Sequence, residues 1–331
     1  MRILIAGLGS IGRRHLHNLQ AAGEQDIQLY RTGRSTLPDE ELADLPVYHD
    51  LDEALRQKPQ AVIISNPTAL HLDVAIPAAE AGCHLLIEKP VSHSLERLEQ
   101  LQIIAQQNAV RILVGYHFRQ HPGLQLTRQF LDAGAIGRPL TVRAHWGEYL
   151  PGWHPWEDYR NAYSARQDLG GGVILTLSHP LDYLRWLCGE IRECFAFTGQ
   201  LGNLELDVED TAEIVLRFQN DMLGSLHLDY NQRPSAHTLE IVGSDGTLKW
   251  DNTSGGVALF QAESGAWQEF PAPAGFERNH LFESEMRHFL AVARNETEPI
   301  CTLEDGMRDL EWALLALHSA ATGQLARPRF D

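Results

Sequence analysis

Along the first third of the chain, short apolar runs alternate with stretches of helical spacing. Ile3-Leu4-Ile5-Ala6, Ile27-Gln28-Leu29-Tyr30, Ala61-Val62-Ile63-Ile64, His84-Leu85-Leu86-Ile87 and Arg111-Ile112-Leu113-Val114 read as buried strands. Residues 11–22, 51–56, 70–81 and 95–108 read as helices between them. Near-continuous apolar strands joined by helical crossovers predict a parallel sheet covered on both faces.

Near His121-Pro122 the pattern changes. After one more helix over 123–133 the period drops to two. Leu140, Val142, Ala144 and Trp146 share one strand face. Ala212, Ile214, Leu216 and Phe218 share another, with Glu213, Val215 and Arg217 opposite. A further run spans 222–230, and Ser244-Asp245-Gly246 separates two more. Alternation with short turns predicts a half-buried, mostly antiparallel sheet. Helices over 177–187, 280–294 and 303–321 are expected to cover it. The chain therefore reads as an α/β domain over residues 1–121 and an α+β domain over 122–331.

Length and charge narrow the function. The 331 residues suit two domains rather than one core. With 27 basic and 44 acidic side chains the net charge is -17, which repels phosphate backbones and anionic bilayers. Neither nucleic acid nor a membrane is expected as a partner. No apolar run approaches the ~20 residues of a bilayer span. The N-terminal apolar stretch is too short for a signal peptide and runs into Gly9, Gly12, Arg13 and Arg14. Cys83, Cys188, Cys194 and Cys301 are scattered, with neither metal-ligand spacing nor a disulfide framework. A cytoplasmic protein without a metal site is expected.

Gly7-Leu8-Gly9-Ser10-Ile11-Gly12 follows the first strand and opens the first helix. That placement suits a dinucleotide: a tight turn, a backbone approach to the pyrophosphate, and a helix N-terminus facing the anion. At the end of the second strand, where NAD-binding folds carry an acid for the ribose hydroxyls, the chain reads Tyr30-Arg31-Thr32-Gly33-Arg34-Ser35. Arg31, Thr32 and Arg34 suit a 2′-phosphate, so NADP is expected in preference to NAD. Glu88-Lys89-Pro90 ends the fourth strand, where open α/β sheets place ligands. Lys89 there could hydrogen-bond or protonate a substrate oxygen. Residues 148–166 are rich in aromatic and hydrogen-bonding groups suited to sugars. Trp153 offers an aromatic platform, and Tyr163 and Arg166 could hold a carboxylate or phosphate.

Taken together, these segments resemble the Gfo/Idh/MocA family of glucose–fructose oxidoreductase and inositol dehydrogenase. The resemblance takes in the glycine loop with His15, Asn66-Pro67-Thr68 with His71, and His84 to Pro90. It continues through Gly115-Tyr116-His117-Phe118-Arg119, Gly170-Gly171-Gly172, His179 and Asp182. It implies a Rossmann domain joined to an open-sheet domain that binds substrate. The sheet's free face would form a homodimer or homotetramer contact. Asn66, Pro67 and His71 would lie along the cofactor, and Glu88 near the nicotinamide ribose. Lys89 would lie near the nicotinamide itself, often with a cis Lys-Pro bond, and His179 would be the general acid or base. The family's aspartate one turn earlier falls on Thr176 here, so either His179 works without a carboxylate or another acid helps it: Asp182, one turn further on, or Asp168 as the weaker candidate. Arg119 is counted with Trp153, Tyr163, Arg166 and His179 among expected substrate contacts. The reaction implied is hydride transfer between NAD(P) and a sugar, sugar derivative or polyol. A non-catalytic NAD(P)-binding regulator and an NAD-dependent glycosidase are the alternatives.

Overall fold

The computed structural model describes residues 1–33, 37 and 42–328. Arg34, expected at the ribose, lies outside the described residues. The chain forms two compact units. The first comprises residues 1–117, 168–170 and 278–310; the second comprises 118–167, 171–277 and 311 onward.

In the first unit the order is β1 (Ile3–Ala6), α1 (Ser10–Ala21), β2 (Ile27–Tyr30), β3 (Val47–Tyr48), α2 (Leu51–Arg56) and β4 (Ala61–Ile64). Then follow α3 (His71–Glu80), β5 (His84–Ile87), α4 (Leu98–Gln107) and β6 (Ile112–Val114). The six strands pair in parallel in the order β3-β2-β1-β4-β5-β6. Every residue of β1 and β4 is fully buried, which explains runs without polar alternation. Strand order reverses between β1 and β4, and the carboxyl edge at such a reversal is where open α/β sheets bind ligands.

The second unit opens with α5 (Pro122–Asp132) and β7 (Pro139–Gly147). Short 3-10 turns lead to α6 (Val173–Thr176) and α7 (His179–Cys188). Then come β8 (Ile191–Gly199), β9 (Thr211–Phe218), β10 (Leu223–Asp229), β11 (Ala236–Gly243), β12 (Gly246–Asp251), β13 (Val257–Gln261) and β14 (Ala266–Phe270). They form one sheet in the order β14-β13-β12-β11-β7-β10-β9-β8. Only the β7–β10 pair is parallel. As the alternation predicts, Val142, Ala144, Trp146, Ile214, Leu216 and Phe218 are buried, while Glu213 and Val215 face outward. α5 and α7 pack on this sheet. Burying each such aliphatic side chain is worth roughly 1.5–3 kcal/mol.

The remaining helices are α8 (Asn279–Ala293) and α9 (Leu303–Thr322). The helix expected on the second sheet over 280–294 belongs to the first unit instead. Its stripe of Leu281, Phe282, Met286 and Phe289 packs with α1 and β5. Spacing defines an apolar stripe, not the surface it meets. Among the described residues, no helix is long and apolar enough to cross a membrane.

Candidate active site

The glycine loop is shaped by close approaches. Gly7 has φ +95°, and a Cβ there would stand 2.5 Å from the Asn66 backbone nitrogen. A Cβ on Gly12 would stand 2.0 Å from the Gly7 carbonyl oxygen and 2.8 Å from Ser65 Oγ. Ser65 Oγ in turn donates to that carbonyl at 2.9 Å. Around Gly9, by contrast, nothing lies within 4 Å of the Cβ position. The loop is thus packed tight behind and open in front. α1 starts after Gly9 with no side-chain cap, and Ser10 and Ile11 form its first turn, the helix end at which an anion is favoured. These features fit a dinucleotide pyrophosphate.

Toward the ribose, Arg31 follows β2 and is 9% exposed. Its N–H donates to Tyr48 O at 3.0 Å, and its carbonyl lies 2.9 Å from His49 Nδ1. Thr32 is exposed. After β4, Asn66 Nδ2 donates to Leu70 O at 3.0 Å, and His71 Nε2 lies 3.0 Å from Asn66 O. Burial holds the His71 imidazole below its ordinary pKa, so the neutral ring donates from Nε2 to that carbonyl. Asn66, Pro67 and His71 therefore form a single braced turn.

At the end of β5, Glu88 is buried and Lys89 half-buried, and the Lys89–Pro90 bond is cis. His15 Nε2 lies 2.7 Å from Glu88 Oε1, and the Lys89 N–H donates to Glu88 Oε2 at 3.3 Å. Burial raises the Glu88 carboxyl, but the His15 hydrogen bond and charge, helped by Lys89, outweigh it and hold it below the usual range. A third group joins them from α8. Glu285 is 3% exposed, and one ligand atom each of His15, Glu88 and Glu285 lies within 4.8 Å of the others. Burial, then the Glu88 charge, push Glu285 well above the carboxylate range. One carboxyl of the pair thus keeps its proton. Glu285 escaped the sequence reading, although an acid on the apolar stripe of α8 was a visible signal. The His117 ring lies tilted against Phe282 with centroids 4.2 Å apart. Burial, then Arg278, Lys89 and Arg14, hold it neutral.

The second unit carries the other expected groups. His179 begins α7 and is 1% exposed, with its ring edge-on to Phe118 at 4.8 Å and tilted to Trp146 at 5.7 Å. Thr176, at the family's aspartate position, is buried beside Tyr230, whose hydroxyl donates to Ser164 O at 3.3 Å. Asp182 is fully buried, and its Oδ1 accepts from Arg119 Nε at 2.8 Å and from a terminal guanidinium nitrogen at 2.6 Å. Arg119, expected at substrate, is 7% exposed and bound to Asp182. Trp153 stands edge-on to Tyr230 at 5.5 Å, and its buried indole N–H has no partner. Tyr163 and Arg166 are half-buried at either end of a 3-10 turn, linked by Arg166 N–H to Tyr163 O at 3.1 Å. Glu209, distant in sequence, was missed. Its Oε1 accepts from Ile174 N–H at 3.1 Å, over the bare Gly172, and burial raises its carboxyl.

The parallel sheet, its glycine loop and the Lys89 edge define a nicotinamide-dinucleotide-dependent oxidoreductase. Residues 1–116 match the family described as "Oxidoreductase family, NAD-binding Rossmann fold", and residues 124–249 match "GFO/IDH/MocA C-terminal domain". The chain belongs to the Gfo/Idh/MocA family. It is 30% identical over 277 residues to 1,5-anhydro-D-fructose reductase of Ensifer adhaerens, covering 80% of this chain and 79% of that one. It is 27% identical over 325 residues to myo-inositol 2-dehydrogenase of Thermotoga maritima, covering 92% of each. Its fold is similar to that of levoglucosan dehydrogenase in complex with NADH and levoglucosan. There the TM-score is 0.86 at 19% identity, over 99% of each chain.

Proposed function

We propose that this protein is a sugar or polyol dehydrogenase or reductase that works with NADP in preference to NAD. Residues 1–121 would bind cofactor, and 122–331 would bind substrate and make the homo-oligomer contact. When bound, the cofactor supplies the hydride donor or acceptor. Gly7, Gly9, Ser10, Ile11 and Gly12 would hold its pyrophosphate, and Arg31, Thr32 and Arg34 its 2′-phosphate. Asn66, Pro67, His71 and Glu88 would hold the rest. The observation that carries the reading is Lys89, half-buried at the sheet's carboxyl edge with its backbone tied to Glu88. Its ammonium would hold or release the proton on the reacting substrate oxygen. His179 would serve as the second proton-handling group, its ring held among Phe118 and Trp146. Asp182 acts as the partner that holds Arg119, and Trp153, Tyr163 and Arg166 would meet substrate hydroxyls or an acidic substituent. The curated relatives, named for an anhydrosugar and a cyclitol, support this substrate class. Four buried free thiols fit a reducing cytoplasm.

The test begins with fluorescence titration of cofactor-free protein by NADPH and NADH, followed by a turnover screen over sugars, sugar acids and polyols. Tighter binding of NADPH is expected. The Lys89→Met variant should bind cofactor as the wild type does and lose on the order of 10²–10⁴ in kcat. Unchanged turnover in that variant would remove Lys89 from the mechanism. Cofactor binding without turnover of any substrate would favour a regulator instead.

A further inference from the structure

β7 and β10, the parallel pair at the centre of the second sheet, set His145 beside His227 and Gly147 beside Asp229. Residues two apart on a strand share a face, so both histidines and Asp229 point to the same side. Glu213, opposite His227 on β9, joins them. The two imidazoles stack with centroids 4.6 Å apart. One ligand atom from each of His145, His227 and Asp229 lies within 4.8 Å of the other two.

Each of the three is oriented by a further group. Glu213 Oε1 lies 2.6 Å from His227 Nδ1, leaving Nε2 facing Asp229 Oδ2 at 3.0 Å. Asp229 Oδ1 accepts the backbone N–H groups of Asn231 and Gln232 at 2.7 and 2.6 Å, which leaves Oδ2 for another partner. Gln232 Oε1 lies 2.6 Å from His145 Nε2, so that nitrogen donates and Nδ1 keeps its lone pair. Gly147 keeps the corner bare, since a Cβ there would stand 2.2 Å from Asp229 Oδ2. Carboxylates and amides that fix the tautomer of a ligating imidazole are the usual outer partners of a metal site.

We propose that His145, His227 and Asp229 form a binding site for a divalent cation of the Zn²⁺ type. Two imidazoles and one carboxylate match the ligand preference of such an ion, with water in the fourth tetrahedral position. Metal–ligand bonds of about 2.0–2.1 Å bring ligand atoms to about 3.3 Å from each other, a contraction that side-chain rotation supplies. The ion would tie β7 to β10 at their carboxyl ends. The ligands come from strands far apart in sequence, so no local spacing announces them, and the absence of a cysteine motif has no bearing on them.

The test uses the full-length, tag-free protein after treatment with a chelator. Zn²⁺ is titrated by calorimetry, Co²⁺ by its visible absorption, and thermal unfolding is followed with and without Zn²⁺. One ion per chain, a tetrahedral Co²⁺ spectrum and a raised Tm are expected. The doubly substituted protein His145→Ala, His227→Ala should bind at least tenfold more weakly and show no rise in Tm, and Glu213→Gln should weaken binding about tenfold. Should the double variant fail to fold, as judged by circular dichroism, Asp229→Asn takes its place. A wild type that takes up no ion, or a double variant that binds as the wild type does, overturns the site. NADPH titration of the same variants keeps this outcome separate from the fate of the oxidoreductase reading.

Discussion

At the scale of single residues, Gly9 and Gly12 are bare for opposite reasons. Gly12 has no room for a methyl group, whereas Gly9 has room that a cofactor would fill. Gly9→Ala should therefore leave the denaturation midpoint unchanged and weaken NADPH binding, while Gly12→Ala should also lose about 1–3 kcal/mol of stability through overpacking. Denaturation curves and fluorescence titrations on both variants decide it; wild-type affinity in Gly9→Ala would sink the pyrophosphate assignment. The places of the glycine loop after the first strand and of Lys89 at the end of its strand were legible because each sits at a fixed offset from an element boundary, whereas His179 was singled out by the family resemblance. The partners of these groups were not legible, because they arrive from distant segments. Glu285 reaches the Glu88–His15 pair from α8, Tyr230 lies beside Thr176, and Arg119 takes Asp182.

At the scale of elements, periodicity read the strands of the first sheet except β3, whose two residues carry no period. β8 escaped because Phe195 and Phe197 stand on its outer face, which blurs the contrast between its two sides. α5 shows chemistry hidden in a boundary. The sequence places a helix start near Pro122, and the structure adds that His121 Nδ1 accepts the Gly123 N–H at 3.0 Å as its cap. Only a neutral ring can accept there. Burial, partly offset by Asn252, lowers the His121 pKa from 6.5 to about 4. The unfolded chain thus binds a proton near pH 6.5 that the folded chain refuses until about pH 4. Stability from this group is complete above pH 6.5 and is lost as pH falls through that window, by about 1 kcal/mol at pH 5.5. Asparagine also caps helices and does not titrate. His121→Asn should show a smaller drop in urea midpoint between pH 7.5 and 5.5 than the wild type. Equal drops would acquit His121.

At the scale of the whole molecule, two sheets of opposite character were legible, because one lacks polar alternation and the other has it. What the second sheet does with its outer face came from the family resemblance alone, because a pattern of exposed residues names no partner. Register puts Phe197 in one outer row with Glu213, His227 and His145, and Phe195 in the next with Val215, Ser225 and Arg143. Phe197 is 68% exposed and Val215 56% exposed, on adjacent strands. Phe197 and Val215, with Phe195 against Phe197 at 5.0 Å, are the apolar positions at which the expected dimer or tetramer contact would form. The test is sedimentation with chelator present, so that no bound ion contributes. The wild type should sediment as a dimer or tetramer, and Phe197→Lys with Val215→Lys as a monomer. The two lysines change the net charge from -17 to -15. General repulsion between chains therefore falls, and charge alone would favour association. Dissociation in this variant would come from burying ammonium groups in an apolar contact, whereas a wild type that sediments as a monomer would leave the face without a partner of its own kind.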